Sequence, residues 1–119
     1  EPLSGYLILA ESLYRETGYD EACNFGPRDS DCKPVGDIIN KMTEQWGNHA
    51  GWQQDTGHNP HEAHLLKLDC SKAHARLNWE PRWDVEQSLE KIISWHKVWL
   101  NKEDMKDYCL KEIDEYINS

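Results

Sequence analysis

Apolar side chains recur every three or four residues through most of the chain, the spacing of helices that bury one face. The first such stretch, Pro2 to Tyr14, brings Leu3, Tyr6, Leu7, Ala10, Leu13 and Tyr14 into register and ends before Gly18. Pro2 suits the first turn, where its missing N–H would have no partner anyway. Pro34 opens a second helix with an inner face of Val35, Ile38, Ile39, Met42 and Trp46, and Gly47 closes it. A short helix over Lys72 to Leu77 can take Asp69 or Ser71 as its cap. After the break at Pro81-Arg-Trp, Asp84 caps the strongest pattern, with Val85, Leu89, Ile92, Ile93, His96, Trp99 and Leu100 on one side. Glu86 and Glu90 near its start and Lys97 and Lys102 near its end complement the helix dipole. A final amphipathic helix runs from about Glu103 to Ile117.

Three segments read as short strands instead. Glu21 to Phe25 is ended by Gly26 and Pro27, Gly51 to Gln54 is brief, and Ala63 to Leu68 alternates Leu66 with Leu68. Arg28 to Lys33 and Thr56 to Pro60 read as loops. There are no internal repeats and no low-complexity stretches. The expected fold class is α+β, mostly helical with a few short strands, as one domain over residues 1–119.

Composition narrows the class of partner. Six Trp, five Tyr and one Phe supply bulky core material, although a mean hydropathy of −0.88 implies a very polar surface. With 22 acidic against 13 basic residues the formal charge is −9, which argues against nucleic acid as a partner. A nucleotide ligand needs only a few local donors and stays open. The longest apolar run, Tyr6 to Ala10, is too short to span a bilayer, and the start carries no signal-peptide pattern, so a cytoplasmic protein with no membrane partner is expected. Cysteines 23, 32, 70 and 109 form no CxxC pair and read as reduced thiols. The chain begins Glu-Pro without Met and runs directly into a helix, so we expect a piece of a longer polypeptide.

Familiar catalytic signatures are missing: there is no GxGxxG, P-loop, GxSxG, HExxH or Tyr-x-x-x-Lys. The densest polar cluster is His58-Asn-Pro-His-Glu-Ala-His64. Three histidines at steps of three beside Glu62 suggest a zinc set on one helix face. Gly57 and Pro60 oppose a helix there, and in an extended chain a step of three points side chains to opposite faces. An exposed polar loop with incidental histidines is the second reading. Ligand contact is the third, because donors on a loop before a strand are well anchored. Asn24-Phe-Gly-Pro-Arg28 presents an amide and a guanidinium that could meet a phosphate, against a turn role for Asn24 and a solvated Arg28. His96 reads as a core or interface histidine, and Trp95 with Trp99 as packing.

Several of these segments share a resemblance. Glu1-Pro-Leu-Ser-Gly-Tyr6 resembles a helix start of CDP-glucose 4,6-dehydratases, and Cys23-Asn-Phe-Gly-Pro27 resembles the Tyr-Asn-Ile-Gly strand end of extended short-chain dehydrogenases. Leu68-Asp-Cys-Ser-Lys72 followed by Leu77-Asn-Trp-Glu-Pro81 is similar to that family's Asp-x-Ser-Lys-x-x-x-x-Leu-Gly-Trp-x-Pro signature, with Asn78 where Gly is usual. Asn tolerates the same left-handed turn. Trp95 fits the Trp of the last family helix, and Pro60-His-Glu-Ala-His64 resembles a dehydratase-specific segment. The similarity runs in order along nearly the whole chain.

The resemblance implies a C-terminal, substrate-side small domain of an extended short-chain dehydrogenase, without its Rossmann domain. In the parent enzyme, bound NAD would take hydride from C4 of CDP-glucose, water would leave across C5 and C6, and the hydride would return to C6. The product, CDP-4-keto-6-deoxyglucose, would serve the dideoxy sugars of surface polysaccharide such as lipopolysaccharide O antigen. The Gly-rich turn, the Tyr/Lys pair and the acid–base carboxylate would lie upstream of Glu1. This stretch would then hold no catalytic residue and bind no NAD alone, and its partners would be the nucleotide sugar and the missing N-terminal domain. The parent would be a homo-oligomer. His61, Glu62 and His64 are the substrate-side residues that the resemblance implies. Two rival expectations are a stand-alone acidic helical interaction module and a small zinc protein built on His58, His61 and His64.

Overall fold

A computed structural model describes residues 1–57 and 67–119. The described residues form five α-helices, α1 (Pro2–Arg15), α2 (Val35–Trp46), α3 (Ser71–Leu77), α4 (Val85–Leu100) and α5 (Met105–Ile117), with a 3₁₀ turn at Asp29–Asp31. They fall into two compact units. One draws on Glu1–Cys32 and Leu66–Asp84, the other on Lys33–Leu65 and Val85–Ser119.

The first unit is built around aromatic side chains. Phe25, Cys70, Ala73 and Trp79 are buried together, with Ile8, Leu9, Cys23 and Leu77 packed against them. Trp79, only 2% exposed, meets the Phe25 ring edge-on at 5.1 Å between centroids. Tyr6 meets the same ring at 5.4 Å, also edge-on. Both arrangements set the positive edge of one ring against the negative face of another. The buried indole N–H of Trp79 donates to Ser4 Oγ at 2.9 Å, and that hydroxyl donates to the Glu1 carbonyl at 2.7 Å.

Helix α3 shows why its sequence starts and stops where it does. Asp69 Oδ1 accepts from the Ser71 N–H at 2.9 Å and from the Ser71 hydroxyl, ordering the chain just before the first turn. At the other end Asn78 adopts the left-handed conformation, with φ 48° and ψ 35°. The Trp79 N–H then reaches back to the Ala73 carbonyl at 3.4 Å. The left-handed residue thus turns the chain back onto the carbonyls at the helix end, and Trp79 is buried with Ala73.

In the second unit α4 packs against α2 and α5, and Leu89 and Ile93 are its buried positions. The Lys97 ammonium donates to the Gln45 carbonyl at 3.0 Å, supplying a partner at the carbonyl end of α2, where helical bonds run out. Lys91 bridges to α5 through Glu112 at 3.1 Å and Glu115 at 2.6 Å. Trp95 donates its indole N–H toward Cys109 Sγ at 3.4 Å. Asp104 caps α5 by accepting from the N–H groups of Lys106 and Asp107 at 3.0 and 3.1 Å.

Several expectations need correction. No strand is present among the described residues. The Glu21 to Phe25 segment is extended, with Cys23 and Phe25 turned inward, but it is tied to its neighbour by a side chain. The Asn24 amide donates to the Asp69 carbonyl at 3.1 Å, a single link where a ladder needs repeated backbone pairs. Residues 51–54 are exposed throughout. Trp52 is held there by an indole bond to Asn40 Oδ1 at 2.8 Å, not by strand pairing. Most of the third expected strand, Ala63 to Leu68, lies outside the described residues, and Lys67 and Leu68 form none. Val35, placed on the inner face of α2, is exposed because it sits at the helix start. His96 is exposed too, its Nδ1 2.8 Å from the Ile92 carbonyl of its own helix. Trp95 is half-buried and Trp99 half-exposed, their rings stacked 6.4 Å apart.

Candidate functional site

His61, Glu62 and His64, the residues that the sequence nominates for substrate contact, lie outside the described residues, as does His58. What the structure describes is the frame that receives the chain at Lys67. There an open groove of about 580 Å³ is lined by Arg28, Lys67, Asp69, Ser71 and His74, among others.

The walls of this groove come from the segment ending in Gly26-Pro27-Arg28 and from the start of α3. Gly26 permits their close approach, since a β-carbon there would lie 3.0 Å from Leu68 Cδ1 and 3.2 Å from Leu68 Cβ. Each polar group is already engaged. The exposed Arg28 guanidinium donates to the Pro81 carbonyl, a bond that occupies one of its five N–H groups. Lys67 Nζ lies 3.1 Å from Asp29 Oδ2, and His74 Nδ1 lies 3.4 Å from Glu80 Oε1. The hydrogen bonds from the Ser71 hydroxyl and then the Ser71 N–H hold the Asp69 carboxyl below its usual range. Arg28 and Lys67 share the wall with the Asp29 and Asp69 carboxylates, so the groove offers shape with little net charge.

Lys67 and His74 were not singled out by residue patterns, because a lone lysine or histidine has no local signature. Nor was Glu1, whose carboxylate accepts from the backbone N–H groups of Arg82 at 2.8 Å and Trp83 at 3.0 Å. With Arg28 on the Pro81 carbonyl, the two side chains clamp the Pro81–Trp83 turn from both sides.

Among the described residues no group of three His, Cys, Asp or Glu side chains is placed to hold a metal. No helix among them is long and apolar enough to cross a membrane. The four cysteine thiols are unpaired.

Two relatives give this frame a class. Both are named as glucose-nucleotide 4,6-dehydratases. The chain is 48% identical, over 120 aligned positions covering all of it, to the CDP-glucose 4,6-dehydratase of Salmonella typhimurium (strain LT2). The matched stretch is C-terminal in that protein and makes up 33% of its length. The dTDP-glucose 4,6-dehydratase of Haemophilus influenzae is 28% identical over 68 residues, 54% of this chain and 20% of that protein. The chain therefore spans a third or less of the length of these relatives. No family model matches.

A dinucleotide cofactor is held where backbone N–H groups at a helix start face its pyrophosphate. The described helix starts do not fit that role. Asp37 lies in the first turn of α2 and Glu86 in that of α4, while Asp69 and Asp104 accept the N–H groups at the starts of α3 and α5. Helix α1 begins on Pro2, which has no N–H. Carboxylates at these positions would repel a pyrophosphate.

Proposed function

We propose that residues 1–119 form the C-terminal, substrate-side domain of a nucleotide-sugar 4,6-dehydratase acting on CDP-glucose. The observation that carries this reading is 48% identity along the whole chain to a protein of that name. The match to a dTDP-glucose 4,6-dehydratase is shorter and weaker, which favours the cytidine nucleotide. On this reading the parent is a lyase that binds NAD in a Rossmann domain preceding Glu1. Its product is CDP-4-keto-6-deoxyglucose, and it works in the cytoplasm as a homo-oligomer. The present residues supply nucleotide-sugar binding through His61, Glu62 and His64.

The division of labour agrees with the chemistry on this stretch. Its helix starts are acidic, its groove is charge-balanced, and it has no Tyr-x-x-x-Lys. It holds and orients a ligand, while proton and hydride transfer belong to the remainder of the enzyme. The deciding experiment incubates the complete gene product with CDP-glucose and, separately, with dTDP-glucose. Proton NMR should show the C6 methyl group of a 4-keto-6-deoxy product from CDP-glucose first. Preferential turnover of dTDP-glucose would overturn the assigned nucleotide, and no dehydration of either sugar would overturn the enzyme reading.

A further inference from the structure

Helix α1 is apolar on two faces. Gly5 is buried and Ile8 and Leu9 pack against the core of their own unit. On the other side Leu3, Leu7 and Tyr14, spaced four and seven residues apart, are 73%, 72% and 93% exposed. Tyr6 extends this stripe. No charged side chain occurs from Pro2 to Ala10, and the two that follow, Glu11 and Arg15, pair with each other at 2.6 Å. A surface helix has one apolar face and one polar face, whereas a helix apolar all round belongs in an interior. Helix α5 differs in that its exposed apolar side chains, Leu110, Ile113 and Ile117, are interspersed with the charges of Lys106, Asp107, Lys111, Asp114 and Glu115.

We propose that the outer stripe of α1 docks against an apolar face of the polypeptide preceding Pro2, making α1 the helix that joins the substrate-side unit to the rest of the enzyme. This inference rests on the reading above. The Salmonella relative is about three times as long, and its matched stretch is C-terminal, so some two-thirds of that protein precedes the position of α1. Because α1 is the first element of the present unit, it is also the first that an upstream domain reaches. The stripe has no charge to pair, so its complement is apolar, and contiguous exposed apolar surface of this kind marks an interface.

The test uses the complete protein carrying Leu7→Cys, with Glu16→Cys, at the solvent-exposed end of α1, as reference. Maleimide labelling is followed peptide by peptide by mass spectrometry. Docking predicts that the thiol introduced at position 7 reacts at least about tenfold more slowly than the one at position 16, because a covered thiol is inaccessible. The ratio should be unchanged on dilution. Equal rates in a protein that dehydrates CDP-glucose overturn the docking and leave the enzyme reading standing. Protection that fades on dilution places a second copy on the stripe and also overturns it. Undiminished protection in a protein without dehydratase activity supports the docking while sinking the enzyme reading.

Discussion

Gly5 lies directly against the ring of Phe25. A β-carbon at position 5 would fall 2.6 Å from Phe25 Cε1 and 2.7 Å from Cγ, well inside van der Waals contact. The Glu1-Pro-Leu-Ser-Gly segment therefore needs Gly where a helix would ordinarily prefer Ala. Gly5→Ala gains about 1 kcal/mol of helix propensity and loses roughly 1–3 kcal/mol by overpacking. The expected net effect is a loss on the order of 1 kcal/mol. Around Gly36, inside α2, a β-carbon would meet nothing within 4 Å, so Gly36→Ala should change stability in the opposite direction, by up to ~1 kcal/mol. Urea denaturation of both variants checks the pair, and adding Phe25→Leu to Gly5→Ala should recover part of its loss through non-additivity.

Trp79 depends on Ser4 in a different way. The indole is buried and Ser4 Oγ accepts its N–H. Removing that oxygen with Ser4→Ala leaves a buried donor unsatisfied, at a cost of about 1–3 kcal/mol. Trp79→Phe removes the donor as well as the indole's second ring. In the double variant the Ser4→Ala step should cost less than it does in the wild type. Equal costs in both backgrounds, read by thermal unfolding, would show that the bond contributes nothing.

These two contacts also mark what local pattern can and cannot reveal. The limits of α2 follow from Pro34 and Gly47, and the left-handed end of α3 from Asn78, because those signals act within a turn of the chain. The extended course of Glu21 to Phe25 was legible too, and its alternation turns Cys23 and Phe25 inward. What does not follow from alternation is a second strand to pair with, and Asn24 supplies a side-chain bond to Asp69 instead. The clamp of Glu1 on Arg82 and Trp83 joins residues about eighty positions apart, so no window of sequence contains it. The candidate substrate residues were legible as a polar cluster, but a cluster of donors does not specify where they point.

Asn78 offers a direct test of the turn that closes α3. Its φ of 48° is strained for a residue with an ordinary β-carbon. Asn78→Gly should hold or raise stability, by up to ~1 kcal/mol, whereas Asn78→Ala should lower it by about 1 kcal/mol. Denaturation midpoints at constant slope decide the order. A variant with Ala more stable than Gly would contradict the left-handed conformation.

The charged pairs set opposite limits on pH stability. The hydrogen bond from Lys72, its charge and that of Arg76 hold the Glu21 carboxyl below its ordinary value of 4.5. Folding therefore favours the ionised form. This contribution is fully present above the ordinary glutamate range and is lost as pH falls through the lower folded value. The hydrogen bond from Glu115 leads the causes that raise Lys91 above 10.5, with Glu112 adding to it. That contribution is fully present below the ordinary lysine value and lost as pH rises through the folded one. Glu21→Gln should flatten the acid limb of melting temperature against pH, and Lys91→Met the alkaline limb, each leaving the opposite limb in place. The Glu21 effect should shrink in high salt, since its partners are exposed and screened. An unchanged acid limb in Glu21→Gln would remove this ion pair from the account.

Substrate contact by the His61–His64 segment is tested best in the complete enzyme. If His61, Glu62 and His64 bind the nucleotide sugar without taking part in bond breaking, alanine at each position removes binding common to ground and transition states. KM for CDP-glucose should then rise, by roughly tenfold for a lost hydrogen bond, with kcat nearly unchanged. A metal site on His58, His61 and His64 would behave differently, because stoichiometric zinc would be present and a chelator would reproduce the triple substitution. A fall in kcat at constant KM would instead place one of these side chains at the reacting sugar. Unchanged kinetics in all three variants would remove the segment from the binding site altogether.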